Sequence, residues 1–301
     1  MSEDLEQLGK DYKVVVRDLM KVYHRGSKEV IALRGMDFEV KKSEFLSIVG
    51  PSGSGKSTLL KLLGALDKPT AGVIMFDGHN IALLDDYRSM IYRRRKVGFV
   101  WQTGNLVPGL SALKNVKLPM RLAGAPRAAS DERALMLLTT MGLQHRIEHK
   151  PHQLSGGENQ RVAICVALAN KPDLLLADEV TGELDSETTE MVMDTLKKIN
   201  NEFETTVVNV THNPRVAGYA DRVLRIRDGL IEGQKHTIFG EITEIDAKGR
   251  MVVPETIRRL AGLGKRVVLK VTSEGLLVKP LEIKEEEGKE SVPEPTGQAS
   301  Q

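Results

Sequence analysis

Few stretches restrict a chain as tightly as Gly50-Pro51-Ser52-Gly53-Ser54-Gly55-Lys56-Ser57-Thr58. It fits G-x-x-x-x-G-K-[ST], a phosphate-binding loop. The motif needs a strand before it and a helix after it. Phe45-Leu46-Ser47-Ile48-Val49 reads as a buried strand, and Leu59-Leu60-Lys61-Leu62-Leu63 as the first turns of a helix. Glycines at 50, 53 and 55 lack Cβ atoms, so successive N–H groups can converge on phosphate oxygens. The helix start adds partial positive charge and unpaired donors. Lys56 is placed to reach the β- and γ-phosphates, and the Ser57 hydroxyl to ligate Mg²⁺.

Composition excludes several classes. Aromatic residues make up only 4% of the 301 residues, which argues against a base-stacking surface. The single cysteine, Cys165, excludes an internal disulfide framework and a cysteine metal site. Its apolar neighbours, 162–169, place it in the core. No apolar run approaches the ~20 residues that span a bilayer. The acidic start, Met1-Ser2-Glu3-Asp4, is no signal peptide. The expectation is a cytoplasmic protein that reaches a membrane only through a partner.

Residues 1–11 read as a flexible tail. A first strand begins at 14–16 and is followed by 21–24, and a second and a third are expected near 30–33 and 36–40. Tyr23 presents an aromatic face that could stack on adenine, or could simply pack on a sheet edge. A strand at 73–76, a helix over 87–96 and a strand at 97–101 follow. The run Arg93-Arg94-Arg95-Lys96 reads as a solvated helix face. Gln102 ends its strand with an amide able to face a metal or an attacking water. Residues 105–169 carry little strand signal and read as a helical subdomain. Ser111 caps one of its helices, and Ser130-Asp131-Glu132-Arg133 opens another with Leu135, Leu138 and Met141 as its apolar positions.

The chemistry-bearing residues cluster after that. Leu154-Ser155-Gly156-Gly157-Glu158-Asn159-Gln160-Arg161 opens a long apolar helix, a second helix N-terminus suited to an anion. Leu174-Leu175-Leu176-Ala177-Asp178-Glu179 is a buried strand ending in two carboxylates. Asp178 suits Mg²⁺ and Glu179 suits activation of water. Asp185 or Ser186 caps the next helix. His212 ends the following strand, where it can reach a γ-phosphate. Strand 222–226 and the turn Asp228-Gly229 close the domain.

In combination these residues resemble an ABC-transporter nucleotide-binding domain over residues 12–235. The resemblance makes Tyr23 the adenine-stacking tyrosine and 50–58 Walker A, with Gly50, Ser52, Gly53, Ser54, Gly55, Lys56, Ser57 and Thr58 binding nucleotide. Gln102 becomes the Q-loop and a further Mg²⁺ ligand. Ser155, Gly156, Gly157 and Glu158 belong to the signature that acts on the partner's ATP. Asp178 and Glu179 are Walker B and the catalytic glutamate, Asp185 lies in the D-loop, and His212 is the switch histidine. Residues 106–119 and 177–182 resemble the ATPases of lipoprotein-release, macrolide-export and cell-division systems. Two residues depart from the pattern: Val180 stands where proline is usual, and Asn159 where glutamine is usual. The fold implied is α/β, a P-loop ABC ATPase core with an inserted helical subdomain. The implied function is an ATPase that drives a separate permease as a head-to-tail homodimer, with ATP and Mg²⁺ bound. The alternatives are a soluble ABC ATPase and an ATP-responsive DNA-binding regulator.

The pattern changes after residue 236. Residues 240–280 read as four short strands and a helical turn. Asp246-Ala247-Lys248-Gly249-Arg250, Val252-Val253-Pro254 and Ile257-Arg258 resemble the AbrB/SpoVT swapped-hairpin domain. Such a domain is too small to hold itself well alone and implies dimerisation. Eight Lys/Arg against five Asp/Glu in 240–280 permit DNA contact through Lys248, Arg250, Arg258 and Arg259, but dimerisation is the favoured role. Residues 281–301 read as a disordered tail.

Overall fold

The computed structural model describes residues 12–25, 28–182, 184–232, 267–272 and 275–280. The chain divides into two compact units, Met1–Ile238 and Phe239–Gln301. The tails at 1–11 and 281–301, residues 240–266, and with them Lys248, Arg250, Arg258 and Arg259, lie outside the described residues.

Two sheets build the first unit. The antiparallel one has the order β2-β1-β4-β5, from β1 (Tyr12–Arg25), β2 (Lys28–Lys41), β4 (Ala71–Phe76) and β5 (His79–Asn80). The other contains β3 (Phe45–Val49), β6 (Val97–Val100), β7 (Leu174–Asp178), β8 (Thr206–Thr211), β9 (Arg222–Arg227) and β10 (Leu230–Ile231), ordered β10-β9-β3-β8-β7-β6. All its pairings except β9–β10 are parallel. Strand β7 is apolar up to its terminal Asp178, and β3 and β8 bury Ser47 and Asn209 within otherwise largely apolar runs, because both their faces are covered.

Helix α1 (Lys56–Leu63) lies between the sheets, and Leu59, Leu60, Leu62 and Leu63 are all buried. Full burial of each contributes about 1.5–3 kcal/mol, so this short helix is held by packing rather than by propensity. Helix α2 (Asp86–Lys96) leads into β6. Helices α3 (Ala112–Leu122), α4 (Arg127–Thr140) and α5 (Gly156–Leu168) form the helical part, and Val116, Leu138, Ile164 and Cys165 share one core with the underside of β7. Helix α6 (Ser186–Phe203) precedes β8, and the short α7 (Pro214–Ala217) follows it. In the second unit, β11 (Val267–Thr272) and β12 (Gly275–Pro280) pair antiparallel, Leu269 opposite Val278.

Four expectations are corrected. The first strand, begun at 14–16 and followed by 21–24, is continuous as expected, but those foreseen at 30–33 and 36–40 are one strand, not two. The pairing of β1 with β2 shifts register between Val16 and Leu19 and again at Met20, beside Gly35 at φ 89°. Such bulges break the period-two pattern without ending the strand. Helix α4 starts at Arg127, behind Pro126, and Ser130 sits inside it, its hydroxyl donating to the Pro126 carbonyl. The inward face is therefore Ala134, Leu137 and Leu138, while Leu135 is exposed. The basic run of α2 is only partly a solvated face: Arg93 donates to the Ala65 carbonyl at 2.5 Å, and Lys96 pairs with Asp173 at 2.6 Å.

Candidate functional site: a phosphate loop at the carboxyl edge of the parallel sheet

Parallel pairing brings the predicted residues together. Val49 is opposite Thr211, Asp178 opposite Val210, and Val100 opposite Ala177. The residues that follow these strands (Gly50, Glu179, His212 and Gln102) therefore emerge at one edge, where ligands of open α/β sheets bind.

The loop itself is shaped by glycine. Gly55, the N-cap residue of α1, has φ 99°, and a Cβ there would lie 2.5 Å from the Ala32 carbonyl oxygen. Gly53 has φ 80° and open space where a Cβ would sit. Lys56 is buried, and its Nζ donates to the carbonyls of Gly50 and Pro51 at 2.8 and 2.9 Å. The ammonium thus closes the loop on itself and points to its centre. Ser54 is buried, and its hydroxyl has no hydrogen-bond partner among the described residues. The Ser57 hydroxyl donates to Asp178 Oδ1 at 3.2 Å. Burial raises the Asp178 pKa; the Ser57 bond opposes this, the neighbouring Glu179 carboxylate adds to it, and Lys56 and Lys61 oppose it.

Glu179 sits at φ 49° and starts a tight turn closed by Gly182 N–H to its carbonyl at 3.0 Å. Its Oε1 is 3.3 Å from His212 Nδ1. Val180, in place of proline, is buried in the core, and the turn is closed with valine present. Gln102 is exposed, with Nε2 3.9 Å from where a Cβ of Gly182 would stand. Glu179, Gly182 and His212 share a cleft of 260 Å³ with Leu184, Ser186 and Asn213.

Tyr23 is half-buried in β1. Its hydroxyl donates to Asp67 at 2.9 Å, and Lys21 Nζ lies 4.8 Å from its ring centre. Burial, then the Asp67 partner, raise its pKa, while the side chain of Thr58 opposes that shift. Tyr23 is thereby placed beside the loop helix. The helix start at 155 is built as expected. Ser155 caps α5, its hydroxyl accepting from Glu158 N–H at 3.2 Å, and Glu158 returns the bond to Ser155 N–H at 2.9 Å. This capping box satisfies two donors reciprocally. Gly157 lies against Leu184 and Thr188, next to Asp185, which caps α6 through Thr188 N–H at 2.9 Å.

Two supporting residues lie inside motif stretches that give them no role of their own. Gln160 is buried in α5 and donates to the Trp101 carbonyl at 2.9 Å, tying that helix to the residue before Gln102. Asn115 in α3 donates to the carbonyls of Val107, Leu110 and Ser111 and accepts from Val107 N–H, folding the segment after Gln102. The motifs mark both positions, and the structure shows what each side chain bonds.

A glycine-shaped phosphate cradle with a buried lysine, a serine–aspartate pair and a strand-end glutamate defines a nucleotide-hydrolysing P-loop protein. The family model described as ABC transporter matches residues 33–182. An uncharacterised ABC transporter ATP-binding protein of Thermotoga maritima is 47% identical over 226 residues, 74% of this chain and 96% of that one. The lipoprotein-releasing system ATP-binding protein LolD of Geobacter metallireducens is 44% identical over 72% of this chain and 96% of its own. The macrolide export ATP-binding/permease protein MacB of Syntrophobacter fumaroxidans is 44% identical, with 33% of its length covered. A dimeric structure of the ATP-binding cassette MJ0796, in a post-hydrolysis state bound to ADP and Pi, superposes with a TM-score of 0.70 at 44% identity, over 73% of this chain and 96% of that one. The chain belongs to the ABC-transporter ATP-binding proteins: it is an ATPase subunit. Among the described residues no helix is long and apolar enough to cross a membrane.

Proposed function

We propose that this subunit works as a head-to-tail pair in which each ATP lies between residues 50–58 of one protomer and Ser155–Gly157 of the other, and that a membrane permease follows the opening and closing. The observation that carries this is the convergence of Lys56, the Ser57–Asp178 pair and the Glu179–His212 pair at one sheet edge. Ser155 and Gly156 meanwhile face solvent. The loop N–H groups and Lys56 bind the triphosphate, and Tyr23 stacks on the adenine. Glu179 accepts a proton from the attacking water, and His212, held beside it, contacts the γ-phosphate. The donor set of Ser57, Asp178 and Gln102 is hard oxygen, which fits Mg²⁺; the ion would neutralise phosphate charge there. An anionic Asp178 made costly by burial is what a cation relieves.

Closure follows because ATP binds the paired state better than the separated one. The groove between Gln102 and the helical part receives a helix of the permease. The segment after Gln102 offers the exposed Val107 there, clamped by Asn115. The second unit, by its resemblance to AbrB-like swapped hairpins, holds two protomers together through residues 240–280.

The test uses Glu179→Gln, which keeps the shape and removes the base. Turnover should fall by ~10²–10⁴, and energy transfer between dyes on the two protomers' nucleotide-binding domains should show ATP-dependent closure. Adding Ser155→Arg should abolish closure while ATP binding to each protomer persists. Wild-type turnover in Glu179→Gln, or closure unaffected by Ser155→Arg, would refute the reading.

A further inference from the structure

The helix start at Ser155 carries a formal negative charge where the proposed arrangement needs to receive another. Glu158 lies in the first turn of α5, three residues from Ser155, and its side chain is only 13% exposed. Alone, a carboxylate there stabilises the helix through the dipole. Beside an incoming triphosphate it would repel, and in a partly desolvated interface like charges are costly.

Arg146 answers that charge. Its Nε donates to Glu158 Oε1 at 2.9 Å, leaving Oε2 to accept from Ser155 N–H. The Ser155 N–H, then burial in the opposite sense, then Arg146 set the Glu158 pKa, and the net shift is downward, so the group is anionic. Arg146 is itself fixed. Its N–H bonds the Leu143 carbonyl, and its carbonyl accepts from His149 N–H at 3.0 Å. The same loop is stitched to the start of α3 by Leu113 N–H to the Ile147 carbonyl and Ala112 N–H to the His149 carbonyl, at 3.0 and 2.8 Å. The guanidinium is therefore presented by a loop anchored on the element that follows Gln102. Meanwhile Gly156 and Gly157 are first-turn residues, whose N–H groups have no intrahelical acceptor.

We infer that Arg146 is a positioning residue for the composite ATP site: it neutralises Glu158 and pins it to the Ser155 backbone, so that Ser155 and the first-turn N–H groups of α5 receive the partner's triphosphate. The inference rests on the head-to-tail reading. Charge, rather than the cap, is what needs Arg146, because a glutamine at 158 could accept from Ser155 N–H with no charge to neutralise.

The experiment measures ATP-dependent dimerisation of the nucleotide-binding domains within the full chain in the Glu179→Gln background, by energy transfer between dyes placed on the two protomers' domains, beside binding of a fluorescent ATP analogue to the protomer. Arg146→Met should weaken dimerisation about thirtyfold or more, with protomer binding unchanged, the size of effect expected for an uncompensated interfacial charge. Arg146→Lys should recover part of the loss. Combining Arg146→Met with Glu158→Gln should return it to within about twofold of the parent. Parent-like dimerisation by Arg146→Met overturns the inference. So does a loss that Glu158→Gln does not repair, which would make Arg146 part of the loop scaffold only. If the parent itself forms no dimer with ATP, the head-to-tail reading falls first and this inference with it.

Discussion

Gly53 and Gly55 both have positive φ, yet replacing them with alanine should have unequal effects. At Gly53 an added Cβ meets nothing within 4 Å, so only backbone strain applies. A left-handed conformation costs a residue with a Cβ roughly 1–2 kcal/mol. At Gly55 the same strain is joined by a clash: the Cβ would stand 2.5 Å from the Ala32 carbonyl oxygen and 2.7 Å from Leu33 Cδ2. Leu33 is fully buried and the other partner is β2 backbone, so neither can step aside. Overpacking of that kind adds about 1–3 kcal/mol. At about 2–4 °C of melting temperature per kcal/mol for a domain of this size, Gly55→Ala should melt roughly 2–12 °C below Gly53→Ala. The strain also falls on the residue that starts α1, so the N–H groups of Lys56 and Ser57 should turn away from the phosphates. Scanning calorimetry without nucleotide and ATP titration of both variants make the comparison. Equal melting temperatures, or a lower one for Gly53→Ala, would show that the packing of the loop on β2 is not what holds it.

Asp178→Asn should raise the melting temperature of the nucleotide-free protein near neutral pH while it lowers ATPase activity. The sign follows from a pKa raised by burial: the native state binds the proton more tightly than the unfolded chain, so the associated stability is complete below the unfolded pKa and is lost as pH rises through the folded one. The gain over wild type should shrink as pH falls into the carboxylate range, and a gain unchanged by pH would contradict the burial argument. Deleting residues 240–301 should leave a folded ATP-binding protein that is monomeric without nucleotide, with an ATPase rate steeply dependent on protein concentration. The full chain should stay dimeric and show a flatter dependence, because a tether raises effective concentration to the mM range for short linkers. A full chain that light scattering finds monomeric at micromolar concentration removes the tethering role.

Features with a local cause are legible in the sequence alone. The phosphate loop is legible because its glycines, lysine and serine act within nine consecutive residues on one strand–turn–helix unit. The strand carrying Asp178 and Glu179 is legible because a strand covered on both faces must be continuously apolar until it reaches the sheet edge. The cap at Ser111, and the choice of Asp185 or Ser186 for the later helix, are legible because a cap acts on a backbone N–H three residues ahead. Tertiary structure decided the rest. Whether β1 stops or bulges near Asp18 depends on its pairing with β2, which no window on β1 contains. The start of α4 was misplaced because Ser130 resembles a cap, whereas the chain before it had already turned at Pro126. The partner of Gln160 lies on another segment and those of Asn115 in the turn before its own helix, so neither role has a periodic signature. Arg146 and Glu158, twelve residues apart, form a pair only because the loop before α5 is bonded to the start of α3. Chemistry confined to one turn of chain is written in order along it, whereas the long-range contacts that aim that chemistry exist only once the chain has closed on itself.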